Sequence, residues 1–311
     1  MTILVTGGAG FIGSNLLHHL VVTENERIVC LDKMGYASNF HFIEHLDIPI
    51  EVVDISNFDA VKQVFRKHQP STVFHLAAES HVDNSIVNCF PFIQSNIVGT
   101  VNLLEASRTY GVERFMHIST DEVFGSIPEG SFTETTPYDP RNPYSASKAS
   151  SDHFVMAYHN TYGLPVTITN CSNNYGPRQY IEKLIPKAIF NVMNGKKVPI
   201  YGDGMQIRDW LYVQDHCEAL TEVWKRGRVG EKYNIGGQSE ISNIELIKEI
   251  LVILEKRSMY EYVSDRPGHD KRYSTDITKI KTELGWSPRY SLSTGLYQTI
   301  HWYKQNSNIF R

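Results

Sequence analysis

The chain has 311 residues, 41% of them hydrophobic and 21% charged, with a formal net charge of −4. Length and composition predict a globular protein of about two domains with a large core, and the small, dispersed negative charge excludes nucleic acid held by bulk electrostatics. Four separated cysteines (Cys30, Cys89, Cys171, Cys217) without CxxC or zinc spacing, and thirteen histidines without a ligand pattern, predict neither disulfides nor a bound metal and point to a reducing, cytoplasmic setting.

The opening apolar run, 2–6, has no basic flank and is broken by glycines, so it reads as a strand and not as a secretory leader. No run reaches the roughly 18 to 20 apolar residues of a membrane span. The strand passes directly into TGGAGFIG and an amphipathic helix over about 11–22. Gly7, Gly10 and Gly13 form GxxGxxG. The first allows a tight turn, the second lets backbone approach a pyrophosphate at the helix N-terminus, and the third lets helix and strand pack closely. A second strand, 28–32, ends at Asp32, where a carboxylate can hold ribose hydroxyls and repel the 2′-phosphate of NADP. This favours NAD, a preference that Lys33 softens. A third strand, 50–53, leads to Asp54, which can meet an adenine or simply cap the strand end. A helix over 57–68 and a strand over 72–76 follow. The latter runs into LAAES, whose Ala77 and Ala78 leave room for a cofactor or merely pack.

After a helix over 91–110, the strand 114–119 meets STDEVFG. Asp121 and Glu122 are poor strand formers, and read either as solvated loop charges or as acids at the mouth of a sheet. Neighbours on a strand point to opposite faces, so both can face one pocket only if the strand ends by Thr120. The helix 143–162 carries Tyr144 and Lys148 four residues apart on one face, with Asn142 as cap and Pro143 in the first turn. An ammonium beside a phenol favours the phenolate, which makes tyrosine a usable base near neutral pH. A strand over 166–171 completes the alternation. Strand and helix in turn predict an α/β, Rossmann-type doubly wound parallel sheet with helices on both faces.

Beyond residue 175 the pattern loosens into helices near 183–194, 214–226, 242–256 and 292–305 and short strands such as VPIYG and KYNIGG. We divide the chain into 1–175 and a smaller mixed α/β region, 176–311, at the sheet's carboxyl edge, with the stretch from VPIYG to YNIGG able to return to the first. Asn173 and Asn174 offer neutral ligand groups or form an Asn-rich turn. Glu182 and Lys183 would otherwise be solvated charges at a helix start. Arg208 precedes an apolar strand, and a guanidinium in general suits phosphate oxygens by its bidentate geometry. Asn243 sits at a helix cap, and DRPGHDKRY has the composition of a solvated loop.

TGGAGFIG with YSASK resembles the extended short-chain dehydrogenase/reductase family. STDEVFG, NCSNNYGPRQ, EKLIPKAI, YGDGMQIRDWLYVQDH, YNIGG, DRPGHDKRY and LGWSP resemble, along nearly the whole chain, its nucleotide-sugar 4,6-dehydratases. Phe124 stands where that family usually has Tyr, and the 125–136 stretch is compact. The resemblance implies NAD on the first domain and a nucleotide sugar on the second. It implies a hydro-lyase that oxidises C4, eliminates water across C5 and C6 and returns the hydride to C6. The implied substrate is dTDP-glucose, with UDP-glucose as the alternative. A sugar 4-epimerase would leave the two acids without work, and a non-catalytic NAD-binding protein would need neither the acids nor YxxxK.

Thr120, Tyr144 and Lys148 then serve the C4 step, with Glu122 the base at C5 and Asp121 the acid at C6, which requires a carboxyl neutral near pH 7. By the same resemblance the cofactor meets Gly7, Gly10, Phe11, Ile12, Gly13, Asp32, Lys33, Asp54, Ile55, Leu76, Ala77, Ala78, Ser80, Ser95 and Asn174 besides Tyr144 and Lys148. The substrate meets Ser80, Thr120, Asn173, Glu182, Lys183, Leu184, Arg208, Asn243 and the run Asp265, Arg266, Pro267, Gly268 and His269. A homodimer through the helices 91–110 and 143–162 is implied too, without membrane or nucleic acid, and a product leading to a deoxysugar such as rhamnose.

Overall fold

The computed structural model describes residues 1–265 and 269–310. The six apolar runs of the first half are strands: β1 (Thr2–Thr6), β2 (Arg27–Asp32), β3 (Ile50–Val52), β4 (Thr72–His75), β5 (Arg114–Thr120) and β6 (Val166–Cys171). Helices Phe11–Thr23, Phe58–His68, 90–110 and Pro143–Tyr162 lie between them. Further along are β7 (Asn173–Tyr175), β8 (Val198–Tyr201), β9 (Ile207–Tyr212), β10 (Lys232–Ile235), β11 (Glu240–Ser242) and β12 (Tyr260–Val263).

Seven strands pair in parallel in the order β10-β6-β5-β4-β1-β2-β3. The strand order reverses beside β1, and such a switch point opens a crevice at the carboxyl ends of the strands. Both faces of the sheet are covered. Ile3 and Val5 of β1 join Leu16, Leu20, Leu220 and Val223 of helices Phe11–Thr23 and Val213–Arg226. Leu4, between them in sequence, joins Val61, Phe65, Leu103 and Leu104 on the other side. This period of two with both faces buried is why the strands read as continuous apolar runs.

The chain crosses between two cores after residue 175. The helix Val213–Arg226 and β10 add to the large sheet, whereas β8 pairs with β12, and β9 lies between β7 and β11 in a smaller unit. Ile189, Ile200, Trp210, Ile247, Leu296 and Tyr303 form the core of that unit, which stands over the carboxyl edge of the large sheet through β7, the direct continuation of β6.

Candidate active site

The glycine turn after β1 is tight enough to exclude any side chain. Gly7 has φ +71°, and a Cβ there would lie 2.7 Å from the Ala77 nitrogen; a Cβ on Gly13 would lie 2.1 Å from the Gly7 carbonyl oxygen. The helix starting at Phe11 carries no acidic side chain in its first turn, so its free N–H groups face the cleft as an anion site. Asp32, buried at the end of β2, accepts hydrogen bonds from Ala9 N at 3.0 Å, Met34 N at 2.8 Å and Ser38 Oγ at 2.8 Å. It therefore locks the glycine turn to the next loop. Lys33 Nζ reaches Glu79 Oε1 at 2.6 Å. Phe11, Ile12, Ile55, Leu76, Ala77, Ala78, Ser80 and Ser95 line the same cleft. Ser95 lies in a π-helical turn, Ile93–Val98, within the helix 90–110. Its neighbour Asn96 bonds both the N–H and the carbonyl of Glu79, which fixes the turn against the end of β4. Asp54 lies outside the cleft lining, where its carboxylate accepts from Ser56 N at 2.8 Å as a strand-end cap. A cradle that a Cβ would fill, a helix N-terminus and a carboxylate at the end of β2 together fit a dinucleotide.

Asp121 and Glu122 both line this cleft with Thr120, Tyr144 and Lys148. They can do so because β5 ends at Thr120 and Asp121–Phe124 is a single 3-10 turn, capped by Thr120 Oγ1 accepting from Glu122 N. The turn breaks the alternation that would have sent one acid through the sheet. Asp121 is 1% exposed, with Thr120 Oγ1 3.3 Å from Oδ1 and Thr275 Oγ1 3.4 Å from Oδ2. Burial holds its carboxyl well above the usual range, and the charges of Glu122 and Asp209 add to the effect, against Arg208 and Thr120. Asp209 is held on β9 by the N–H groups of Gly237 and Ser239.

Tyr144 and Lys148 share one helix face, with Asn142 capping Ser145 N and Pro143 in the first turn. Their electrostatics differ from the sequence expectation. Burial and then Glu122 push the Tyr144 phenol well above its ordinary range, with the Thr120 hydrogen bond opposing. Lys148 donates to the Ile118 carbonyl at 2.8 Å, and its own pKa is lowered by burial, with Asp152 opposing. The protein alone thus does not depress the phenol's pKa. The ammonium donates to strand backbone, and the charges of Glu122 and Asp121 both act to raise the phenol's pKa.

On the substrate side, Ser80, Asn173, Asn174, Glu182 and Lys183 line the cleft. Asn174 Oδ1 is hydrogen-bonded to His216 Nδ1 at 2.8 Å, and its Nδ2 donates to the Ser172 carbonyl. Glu182 accepts from Tyr36 OH, and Lys183 Nζ donates to the Ser80 carbonyl at 2.7 Å. Leu184, Arg208, Asn243, Asp265 and His269 lie outside this lining. Leu184 packs against the core of the smaller unit, being apolar at the start of an amphipathic helix. Arg208 is buried, donating to the Ile207 and Asp270 carbonyls with its guanidinium 4.2 Å from the Tyr273 ring centroid. Asn243, Asp265 and His269 form a second polar group. Gln206 accepts from Asn243 N and donates to Asp265, whose other oxygen lies 2.7 Å from His269 Nδ1. The helix cap at this point is Ser242, with a full capping box to Glu245. Arg266, Pro267 and Gly268 lie outside the described residues.

Sequence reasoning missed Leu31, Ala37, Ser38, Val53, Ile118, Ser119, Cys171, Ser172, Gln179 and Tyr180, which also line the cleft. Register could have found some. Ile118 and Ser119 immediately precede Thr120, and Cys171 pairs with Thr120 across β5 and β6. Ala37, Ser38, Gln179 and Tyr180 lie in loops with no periodicity to betray them.

The chain matches the GDP-mannose 4,6 dehydratase family over residues 4–299. It is 50% identical to dTDP-glucose 4,6-dehydratase of Neisseria meningitidis over 98% of this chain and 93% of that protein. It is 49% identical to the enzyme of the same name from Haemophilus influenzae, over 99% of each. Among solved structures it resembles the dTDP-glucose 4,6-dehydratase DesIV of Streptomyces venezuelae, solved with NAD bound, with a TM-score of 0.96 and 43% identity over 99% of this chain and 98% of that one. A UDP-glucose 4-epimerase of Thermus thermophilus, in complex with NAD, has a TM-score of 0.93 at 30% identity over 98% and 99%. The fold is thus shared with epimerases, but the higher identity is to the dehydratases, and the chain belongs to the dTDP-glucose 4,6-dehydratase family.

Proposed function

We propose that this chain converts dTDP-glucose to dTDP-4-keto-6-deoxyglucose as an NAD-dependent hydro-lyase. The observation that carries the reading is Asp121 and Glu122 in the cleft that also holds Thr120, Tyr144 and Lys148. Oxidising and re-reducing one carbon needs no second acid-base pair; eliminating water does. Gly7, Gly10, Gly13, Asp32 and the cleft residues around them would hold NAD. When bound, that cofactor supplies a reversible two-electron acceptor whose positive ring favours the phenolate.

Tyr144, oriented by Thr120, takes the C4 hydroxyl proton, and Lys148 supplies positive charge behind it. The C4 ketone acidifies the C5 proton. Glu122 takes that proton, the C5 electron pair closes the C5–C6 double bond as the C6–O bond breaks, and Asp121 protonates the departing oxygen as water. A carboxyl that burial keeps neutral suits this task. Asn173, Glu182 and Lys183 serve the sugar and phosphate side, and Arg208, Asn243 and residues 265–269 the nucleotide.

We also infer a homodimer through the helices 90–110 and Pro143–Tyr162, supported by exposed Phe90, Ile93, Phe154 and Tyr162. Four unpaired cysteines support a cytoplasmic setting, and no described helix is long and apolar enough to cross a membrane. The product class feeds deoxysugars such as rhamnose.

The test is NMR of the purified protein in deuterated water with dTDP-glucose and, separately, UDP-glucose. A 4-keto-6-deoxy product carrying deuterium at C5, formed faster from dTDP-glucose, is expected. A clean 4-epimer would remove Asp121 and Glu122 from the reaction.

A further inference from the structure

Ser145 follows Tyr144 in the helix and is 1% exposed. Its Oγ lies 3.2 Å from Glu122 Oε2 and 3.0 Å from Asn142 Oδ1. Asn142 Oδ1 also accepts from Ser145 N at 2.9 Å, the cap bond of the helix. Among the described residues Ser145 is the one hydrogen-bond partner of the Glu122 carboxylate. A serine hydroxyl has a single proton and two lone pairs, whereas a carboxylate oxygen and an amide oxygen only accept. The proton can therefore satisfy Glu122 or Asn142, never both at once.

We propose that Ser145 is a positioning residue for Glu122, a hydroxyl that turns with the protonation state of the base. This inference rests on Glu122 as the C5 base. While Glu122 is a carboxylate, Ser145 donates to it, because a hydrogen bond to a charged acceptor outweighs one to a neutral amide. Once Glu122 has gained the C5 proton, its new O–H donates to Ser145 Oγ, and the serine proton swings to Asn142 Oδ1. The buried Ser145 hydroxyl and the part-buried Glu122 and Asn142 side chains each keep a partner in both states, so neither side of the transfer carries the cost of an orphaned donor. The rigidity comes from the helix start. Asn142 is fixed by its cap bond and Pro143 by its ring, so Ser145 presents its hydroxyl to Glu122 from the same turn that presents Tyr144.

The test uses Ser145→Ala in the holoenzyme, with dTDP-glucose deuterated at C4 or at C5. The cap bond runs through the backbone nitrogen and survives the substitution. The expected result is a fall in kcat of about 10- to 100-fold with KM little changed. The C5 isotope effect on kcat should rise and the C4 effect should shrink. A single turnover should build up reduced cofactor at 340 nm, because C4 oxidation outruns the proton transfer at C5. That burst doubles as a check that the variant is folded. Ser145→Thr keeps the hydroxyl and should return the isotope effects toward wild type. A Ser145→Ala enzyme with unchanged isotope effects, or a Ser145→Thr enzyme that behaves like Ala, overturns the proposal. Failure of the underlying reading shows differently: the wild-type enzyme would place no solvent deuterium at C5.

Discussion

Asp121 is a carboxyl kept from water beside two other carboxyl groups, Glu122 and Asp209. Its folded pKa lies well above the unfolded value near 4. Above that unfolded value the folded chain therefore holds a proton that the unfolded chain has lost. Stability must fall as pH rises from about 4 toward the folded pKa, and stay lower beyond it. Asp121→Asn keeps the shape and cannot ionise. Calorimetry should show the variant melting higher than wild type at pH 8, with the gap closing near pH 4. Its kcat should drop by about 100-fold or more, since an amide cannot deliver the proton to C6. A variant that melts lower at pH 8 would mean that Asp121 is ionised and paired in the fold, which would end its role as an acid. The same residue explains why STDEVFG was legible. Two acids after a buried strand are out of place, and only the turn beginning at Asp121 lets both face the cleft.

At the scale of the elements, the glycine turn and the end of β5 position everything else. Gly13→Ala would set a methyl 2.1 Å from the Gly7 carbonyl oxygen. The neighbouring group is backbone and cannot rotate away, so helix and strand must part. Overpacking costs about 1–3 kcal/mol, and here it also opens the anion site. The variant should melt lower and be purified without bound nucleotide, measured by denaturing it and quantifying what is released. Gly130→Ala is the control: φ is +75° but the space around it is open, so it should lose only about 1 kcal/mol and keep its cofactor. Of the first six strands, β1, β2, β4, β5 and β6 were legible because burial on both faces writes continuous apolar runs, while β3, at the sheet edge, is only partly buried. By contrast, β7, β11 and β12, with three or four residues each, carry no period and are held by partners far away in sequence. For the same reason Gln206, which gathers Asn243 and Asp265, was invisible: its two neighbours come from two segments far from it in sequence. The Lys148 contact with the Ile118 carbonyl escaped notice too, since helix spacing gives the face of a side chain and not its partner.

At the scale of the molecule, the large sheet's helix layer does two jobs. Helix Pro143–Tyr162 presents Tyr144 and Lys148 to the cleft at its start, and Phe154, further along, is 42% exposed. The helix 90–110 presents Ser95 to the cleft, while Phe90, at its first turn, is 71% exposed. The two helices pack on one another, with their inner residues Leu103, Leu104 and Val155 in the sheet's core. A pair of helices that already buries one side and shows aromatic side chains on the other is suited to pack on its own copy. The substitutions Phe90→Glu and Phe154→Glu, made together, place like charges where two copies would meet. Light scattering on the eluted protein should give one chain for the double variant and two for the wild type. Because the same helices carry Tyr144, Lys148 and Ser95, the single chain should also retain less nucleotide and turn over more slowly. If the double variant still elutes as two chains, the contact lies on another face, and the link between assembly and site falls with it.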